Sequence, residues 1–340
     1  MAHRSIRRIG LAAAACLCFL HAQPASAQDR EETVRINTNP RTYLVHLPKD
    51  YDPRKRYPVV LALHGSGGDG SVMARVSHLD DASDRFGFIV VYPNAIDGRW
   101  TITNLRDTGG YGNSGRYGNI LGFPIGGTRR REGEVGGQPI NDTLYFDGLL
   151  DQILSKYSVD AARIYATGLS DGAFMTFLLG CEMAQRFAAI ATVAGTLPVR
   201  QSEICSDWAW RPVPLLMING TSDPIVPYSG RPSMDMRFPL LSAKETLKVW
   251  SKMNGCGAKP VRTTIPPRTS DDLATLVDTY SDCRDGGDAI LYSVVKGGHT
   301  WPGGDPYMPE RRVGATSHDL DASETIWQFF AAHPMPPSTH

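Results

Sequence analysis

Ile164-Tyr165-Ala166-Thr167-Gly168-Leu169-Ser170-Asp171-Gly172-Ala173 decides how the rest of the chain is read. An apolar, strand-like run stops at Gly-x-Ser-x-Gly, and a helical pattern opens at Ala173 and runs to Arg186. Glycines on both sides of Ser170 permit a sharp strand-to-helix turn that lifts the hydroxyl clear of the backbone, which makes Ser170 a candidate nucleophile. The same five residues are compatible with an ordinary glycine-bracketed turn, so the surroundings carry the argument.

Upstream, Pro58 to Gly65 is a continuous apolar run suited to a strand covered on both faces, and it ends in His64-Gly65-Ser66-Gly67-Gly68. Backbone N–H groups in such a loop can approach a ligand oxygen, so it is a candidate for half an oxyanion hole. A helical segment over Val72 to Phe86 leads to a second buried strand, Phe88 to Pro93. Downstream, Phe187 to Gly195, Val213 to Gly220 and Ala289 to Val295 read as further strands, with helices over Asn141 to Tyr157, Ser242 to Met253 and Ser323 to Ala332. An antiparallel pair, Thr33 to Asn37 with Arg41 to Pro48, opens the fold. Strands alternating with helices predict a mostly parallel, doubly wound α/β sheet in one domain over 28–340. From Asp97 to Pro139 the rhythm breaks. This glycine-rich stretch, with Trp100, Tyr111, Tyr117, Phe123 and Arg129-Arg130-Arg131, is expected to be an insertion or lid.

Ligands collect at the carboxyl ends of the strands in such sheets. Four features fall there: the His64-Gly65-Ser66 loop, Ser170, the turn Thr221-Ser222-Asp223-Pro224 and the loop Gly297-Gly298-His299-Thr300. The last three give Ser, Asp and His in that chain order, the order of an α/β-hydrolase triad. Asp171, Asp147, Asp282 and Asp288 rank below Asp223 as the acid. A lone histidine in a glycine loop is more often structural; its company here reverses that reading. Trp100 and Trp301 are candidate substrate contacts, and Trp301 equally fits a core role supporting His299.

Arg41 to Gly68, Gly168 to Gly172, Asn219 to Tyr228 and Gly297 to Gly304 together resemble the secreted polyhydroxybutyrate depolymerase and feruloyl esterase family of α/β-hydrolases. The resemblance spans most of the chain after its first 27 residues. It implies Ser170 as nucleophile, Asp223 as triad acid, His299 as base, and the N–H groups of Ser66 and Asp171 as the oxyanion hole. It implies hydrolysis of carboxylic esters in a polymer or its oligomers, with no metal or organic cofactor. The long Gly- and Arg-rich stretch departs from the family and leaves the substrate open. Amide cleavage in an acidic polymer and acyl transfer use the same triad, and a non-catalytic exported binding protein on this scaffold is a further alternative.

The first 27 residues read as a signal peptide. Arg4, Arg7 and Arg8 precede an apolar run from Ile9 to Ala22, and Ala25-Ser26-Ala27 is a small-residue cleavage site. The expected product is exported, periplasmic or extracellular, with no membrane span; cleavage leaves 32 basic against 35 acidic residues. The 340-residue chain has zero formal net charge, which offers no basic field for nucleic acid. Its 41% hydrophobic content suits a folded domain. No Ser/Thr-rich linker follows Ala332, so soluble oligomers are the expected substrates; the oligomeric state is open. Of the six cysteines, Cys181, Cys205, Cys256 and Cys283 lie beyond the leader. Three pairings exist; Cys181 with Cys205 and Cys256 with Cys283 close the most local loops. No C-x-x-C spacing suggests zinc.

Overall fold

The computed structural model describes residues 30–36, 39–102, 134–135, 138–139, 141–208, 211–231, 239–267 and 273–336. The expected leader over 1–27 and most of the expected insertion over 97–139 lie outside the described residues.

Strands β1 (Arg30–Ile36), β2 (Asn39–His46), β3 (Tyr57–Leu63), β4 (Ile89–Pro93), β7 (Val159–Leu169), β8 (Ala189–Val193), β9 (Leu215–Gly220), β10 (Val261–Ile265), β11 (Thr275–Tyr280) and β12 (Ala289–Val294) form one sheet in the order β1-β2-β4-β3-β7-β8-β9-β12-β11-β10. Two short strands, β5 (Glu134–Val135) and β6 (Gln138–Pro139), pair with each other in a separate two-stranded sheet. The six central strands from β4 to β12 run parallel, and each edge is finished by antiparallel pairs.

Strand periodicity separates two cores. Val59, Leu61 and Leu63 of β3 face one side, against Tyr145, Phe146, Phe174, Phe177, Leu247 and Trp250; Val60 and Ala62 face the other, against Met73, Leu79, Ile326 and Phe330. One face is therefore covered by helices Asp142–Lys156, Asp171–Glu182 and Ala243–Met253, and the other by Gly70–Ser77, Leu79–Phe86 and Ala322–Ala332. Local caps start these helices: Asn141 accepts from Leu144 N–H, and Ser242 with Glu245 forms a reciprocal capping box.

The single helix expected over Val72 to Phe86 is two helices, parted at His78 in the left-handed region (φ 53°). Asp80 and Asp81 then fall in the first turn of the second helix, where carboxylates complement the helix dipole. Both disulfides take the local pairing, Cys181–Cys205 and Cys256–Cys283. The first ties the end of helix Asp171–Glu182 to helix Val199–Trp208. Among the described residues no helix is long and apolar enough to cross a membrane, and no group of three or more His, Cys, Asp or Glu could hold a metal ion.

Candidate active site

The parallel strands β3, β7, β9 and β12 deliver all four sequence features to one edge of the sheet. Ser170 follows β7 directly and adopts φ 59°, ψ −115°, a backbone state costing a non-glycine residue about 1–3 kcal/mol. Its chain neighbours explain how the turn is held. A Cβ on Gly172 would lie 2.3 Å from the Leu63 carbonyl oxygen, and one on Gly168 would lie 2.4 Å from the Gly172 carbonyl. Side chains are excluded at both positions by backbone passing against backbone, so the turn is locked by contact rather than left flexible. Ser170 N–H donates to Val193 O at 3.0 Å, tying the turn to β8.

The turn after β9 and the loop after β12 meet through Asp223 and His299. His299 Nδ1 and Asp223 Oδ2 are 2.7 Å apart, and both side chains are buried, at 2% and 0% exposure. The other carboxylate oxygen, Asp223 Oδ1, accepts the N–H groups of Ile225 and Val226, each at 2.8 Å. Against a carboxylate oxygen, His299 Nδ1 is the donor in this contact. The two loops also hold one another: Ser222 N–H donates to Gly297 O, and Lys296 N–H to Thr221 Oγ1. A third segment braces the histidine, because Val313 O accepts His299 N–H and Tyr307 OH donates to His299 O at 2.7 Å.

Ser66 lies in the loop after β3, beside the turn: a Cβ on Gly65 would be 3.4 Å from Ser170 Cβ. Asp171 opens the helix after Ser170, in the first turn where N–H groups point out of the helix end. His64, buried beneath this loop, has Nδ1 2.8 Å from Gly65 O and receives Ala95 N–H at Nε2. Burial pushes its pKa below the ordinary histidine value, so it is a neutral, structural histidine.

The two tryptophans expected to contact substrate are placed otherwise. Trp100 and Trp301 are each 1% exposed. Trp301 Nε1 donates to Ser323 Oγ, and Trp100 Nε1 donates to His64 O. Both indoles are core residues behind the site, and the substrate-contact reading is corrected accordingly. Among the lesser acids, Asp147 pairs with Arg186 and Asp288 lies 3.5 Å from His333, both away from His299.

Sequence reading missed a buried polar cluster beside Trp100. Arg41 pairs with Asp142, donates to Asn94 O, and lays its guanidinium 3.6 Å from the centre of the Tyr145 ring. Asp142 also accepts Thr101 N–H. A charged residue amid the alternation of β2 is the signal that was present, since a buried charge needs a partner.

No family profile matches the chain. It is 28% identical over 286 residues to NocK of Nocardia uniformis subsp. tsuyamanensis, a protein provisionally named an esterase, covering 80% of this chain and 73% of that one. It is 32% identical over 162 residues to feruloyl esterase B of Piromyces equi, covering 47% of this chain but 29% of that protein, which is much longer. Among solved structures, acetyl xylan esterase from Aspergillus awamori superposes with a TM-score of 0.51 at 18% identity, covering 80% of this chain and 94% of that one, a likeness of fold. Sheet order, strand-end loops and these likenesses agree on a carboxylic ester hydrolase of the α/β-hydrolase fold, similar to feruloyl and acetyl xylan esterases.

Proposed function

We propose that this ester hydrolase is a secreted serine esterase that works through Ser170, His299 and Asp223 and cleaves acyl groups, aromatic or acetyl, from a polysaccharide or its oligomers. The buried His299–Asp223 contact, at the same sheet edge as the strained Ser170 turn, is the observation that carries the reading. The names of the relatives, feruloyl and acetyl xylan esterases, support the acyl class. The polyester part of the earlier resemblance has no counterpart in those names. The two disulfides fit an oxidising compartment and so favour export.

In this reading His299 Nε2 takes the Ser170 proton as Oγ forms a bond to the ester carbonyl carbon. Asp223 holds the imidazole tautomer and stabilises the imidazolium. The carbonyl oxygen, now an oxyanion, accepts hydrogen bonds from Ser66 N–H and Asp171 N–H, each such donor being worth about 3 kcal/mol in comparable sites. The carbon–oxygen bond to the alcohol breaks as His299 returns the proton to the leaving oxygen. Water, deprotonated by His299, then releases the acid from Ser170.

The test is hydrolysis of p-nitrophenyl butyrate, methyl ferulate, an acetylated xylo-oligosaccharide, a 3-hydroxybutyrate oligomer and a poly-aspartate by the mature protein and by Ser170→Ala. The expected result is turnover of the feruloyl or acetyl ester that falls by at least about 10⁴-fold in the variant. Equal activity in the variant, or no hydrolysis of any ester, removes the triad assignment and favours a binding protein.

A further inference from the structure

We propose that Trp100 is the positioning residue of the oxyanion hole, a clamp that fixes the spacing between the Ser66 and Asp171 N–H groups; this rests on the catalytic reading above. Trp100 is bonded to both sides of that hole. Its indole Nε1–H donates to His64 O at 2.9 Å, two residues before Ser66, and its backbone N–H donates to Asp171 Oδ2 at 3.1 Å, on the residue that carries the second donor. No side chain of the proposed triad makes such a double connection among the described residues.

The loop bearing Ser66 needs an external brace. Gly65, Gly67 and Gly68 surround it, and glycine-rich backbone has many conformations to lose. Oxyanion donors, in contrast, act only when fixed before charge develops. The segment before Trp100 supplies two further ties: Gly67 N–H donates to Gly98 O at 2.8 Å, and Ala95 N–H to His64 Nε2 at 3.1 Å. The clamp is itself anchored. The Trp100 ring lies 4.9 Å from His64 and 5.3 Å from Phe146, the Arg41 guanidinium sits 5.8 Å from its centre, and the next residue, Thr101, is held by Asp142. A displacement of about 1 Å at reacting groups costs on the order of 100-fold in rate, so losing the indole bond should appear in catalysis before it appears in folding.

Trp100→Phe keeps an aromatic ring without the N–H. Replacement of Trp100 by benzothienylalanine keeps the ring volume and substitutes sulfur for the N–H. Both are compared with the unaltered protein and with Ser170→Ala on p-nitrophenyl butyrate, measuring kcat, KM, inhibition by propyl trifluoromethyl ketone and melting temperature. The expected result is a fall in kcat of about 10-fold or more, matched by weaker ketone inhibition, with KM changed less than about twofold. Retained kcat and ketone affinity overturn the inference, as does a loss of kcat with ketone affinity intact. Where Trp100→Phe does not fold, the benzothienylalanine protein decides. Undiminished turnover by Ser170→Ala removes the proposed function and this inference together; an inactive Ser170→Ala beside fully active Trp100 variants removes the inference alone.

Discussion

The two halves of the site are held by different physical means. At the ends of β3 and β7 the chain is fixed by backbone packed against glycine and by a strained φ at Ser170. At the ends of β9 and β12 glycine also permits close approach, at Gly220 against Gly297 and Gly298, but Asp223 and His299 are themselves held by an almost complete set of hydrogen bonds. Strain and polar satisfaction fail differently. A strained turn is sensitive to added volume and indifferent to polarity, whereas a buried acid–base pair tolerates its packing and fails when one polar atom is changed.

Changing one polar atom in the hydrogen-bonded half gives the largest expected effect. Asp223→Asn keeps the volume but offers an amide to Nδ1, and kcat should fall about 10⁴-fold with the fold retained. Steady-state kinetics beside a circular dichroism melt would check both. Adding volume in the strained half comes next: Gly172→Ala forces a methyl group onto the Leu63 carbonyl and should cost about 3 kcal/mol or more of stability, read from urea denaturation. An unchanged urea midpoint would mean that the turn is looser than its contacts indicate.

Beneath the strained half, His64 brings a pH dependence. Its pKa in the folded protein is lowered from 6.5, chiefly by burial, so protons bind the unfolded chain more readily. The associated stability is present above about pH 6.5 and is lost as pH falls below it, by up to about 1.4 kcal/mol per pH unit. His64→Gln should flatten that slope in denaturation curves taken between about pH 5 and 7. The smallest change has the opposite sign. Ser170→Gly should raise stability by about 1 kcal/mol while abolishing hydrolysis, because glycine relieves the strained φ. A loss of stability there would show that the Ser170 side chain, rather than the turn, carries the packing.

The same contrast explains what could be read from the sequence. The central strands were legible because burial on both faces makes them continuous apolar runs, as in β3, β4 and β9. Strands β10 and β11 were not: β10 is exposed at all five residues and reads Val-Arg-Thr-Thr-Ile, with no apolar run to mark it. Helix Val199–Trp208 was missed too, lacking a broad apolar stripe. In the site, Ser170, Asp223 and His299 stood out because each closes a parallel strand. The roles of Trp100, Arg41 and Asp142 could not be read, since their partners lie 36, 101 and 41 residues away in the chain. Such contacts exist only once the sheet has formed.

Thr101 and Asp142 meet by a backbone-to-carboxylate hydrogen bond, although 41 residues separate them. Two positions far apart in the chain are therefore held side by side. Bringing together two points so distant in sequence is inexpensive, because loop closure costs only about 0.6 kcal/mol more per doubling of the separation. The helix that begins at Asp142 and the segment that carries Trp100 are thereby moored to each other, separately from the bonds that orient Asp223 and His299.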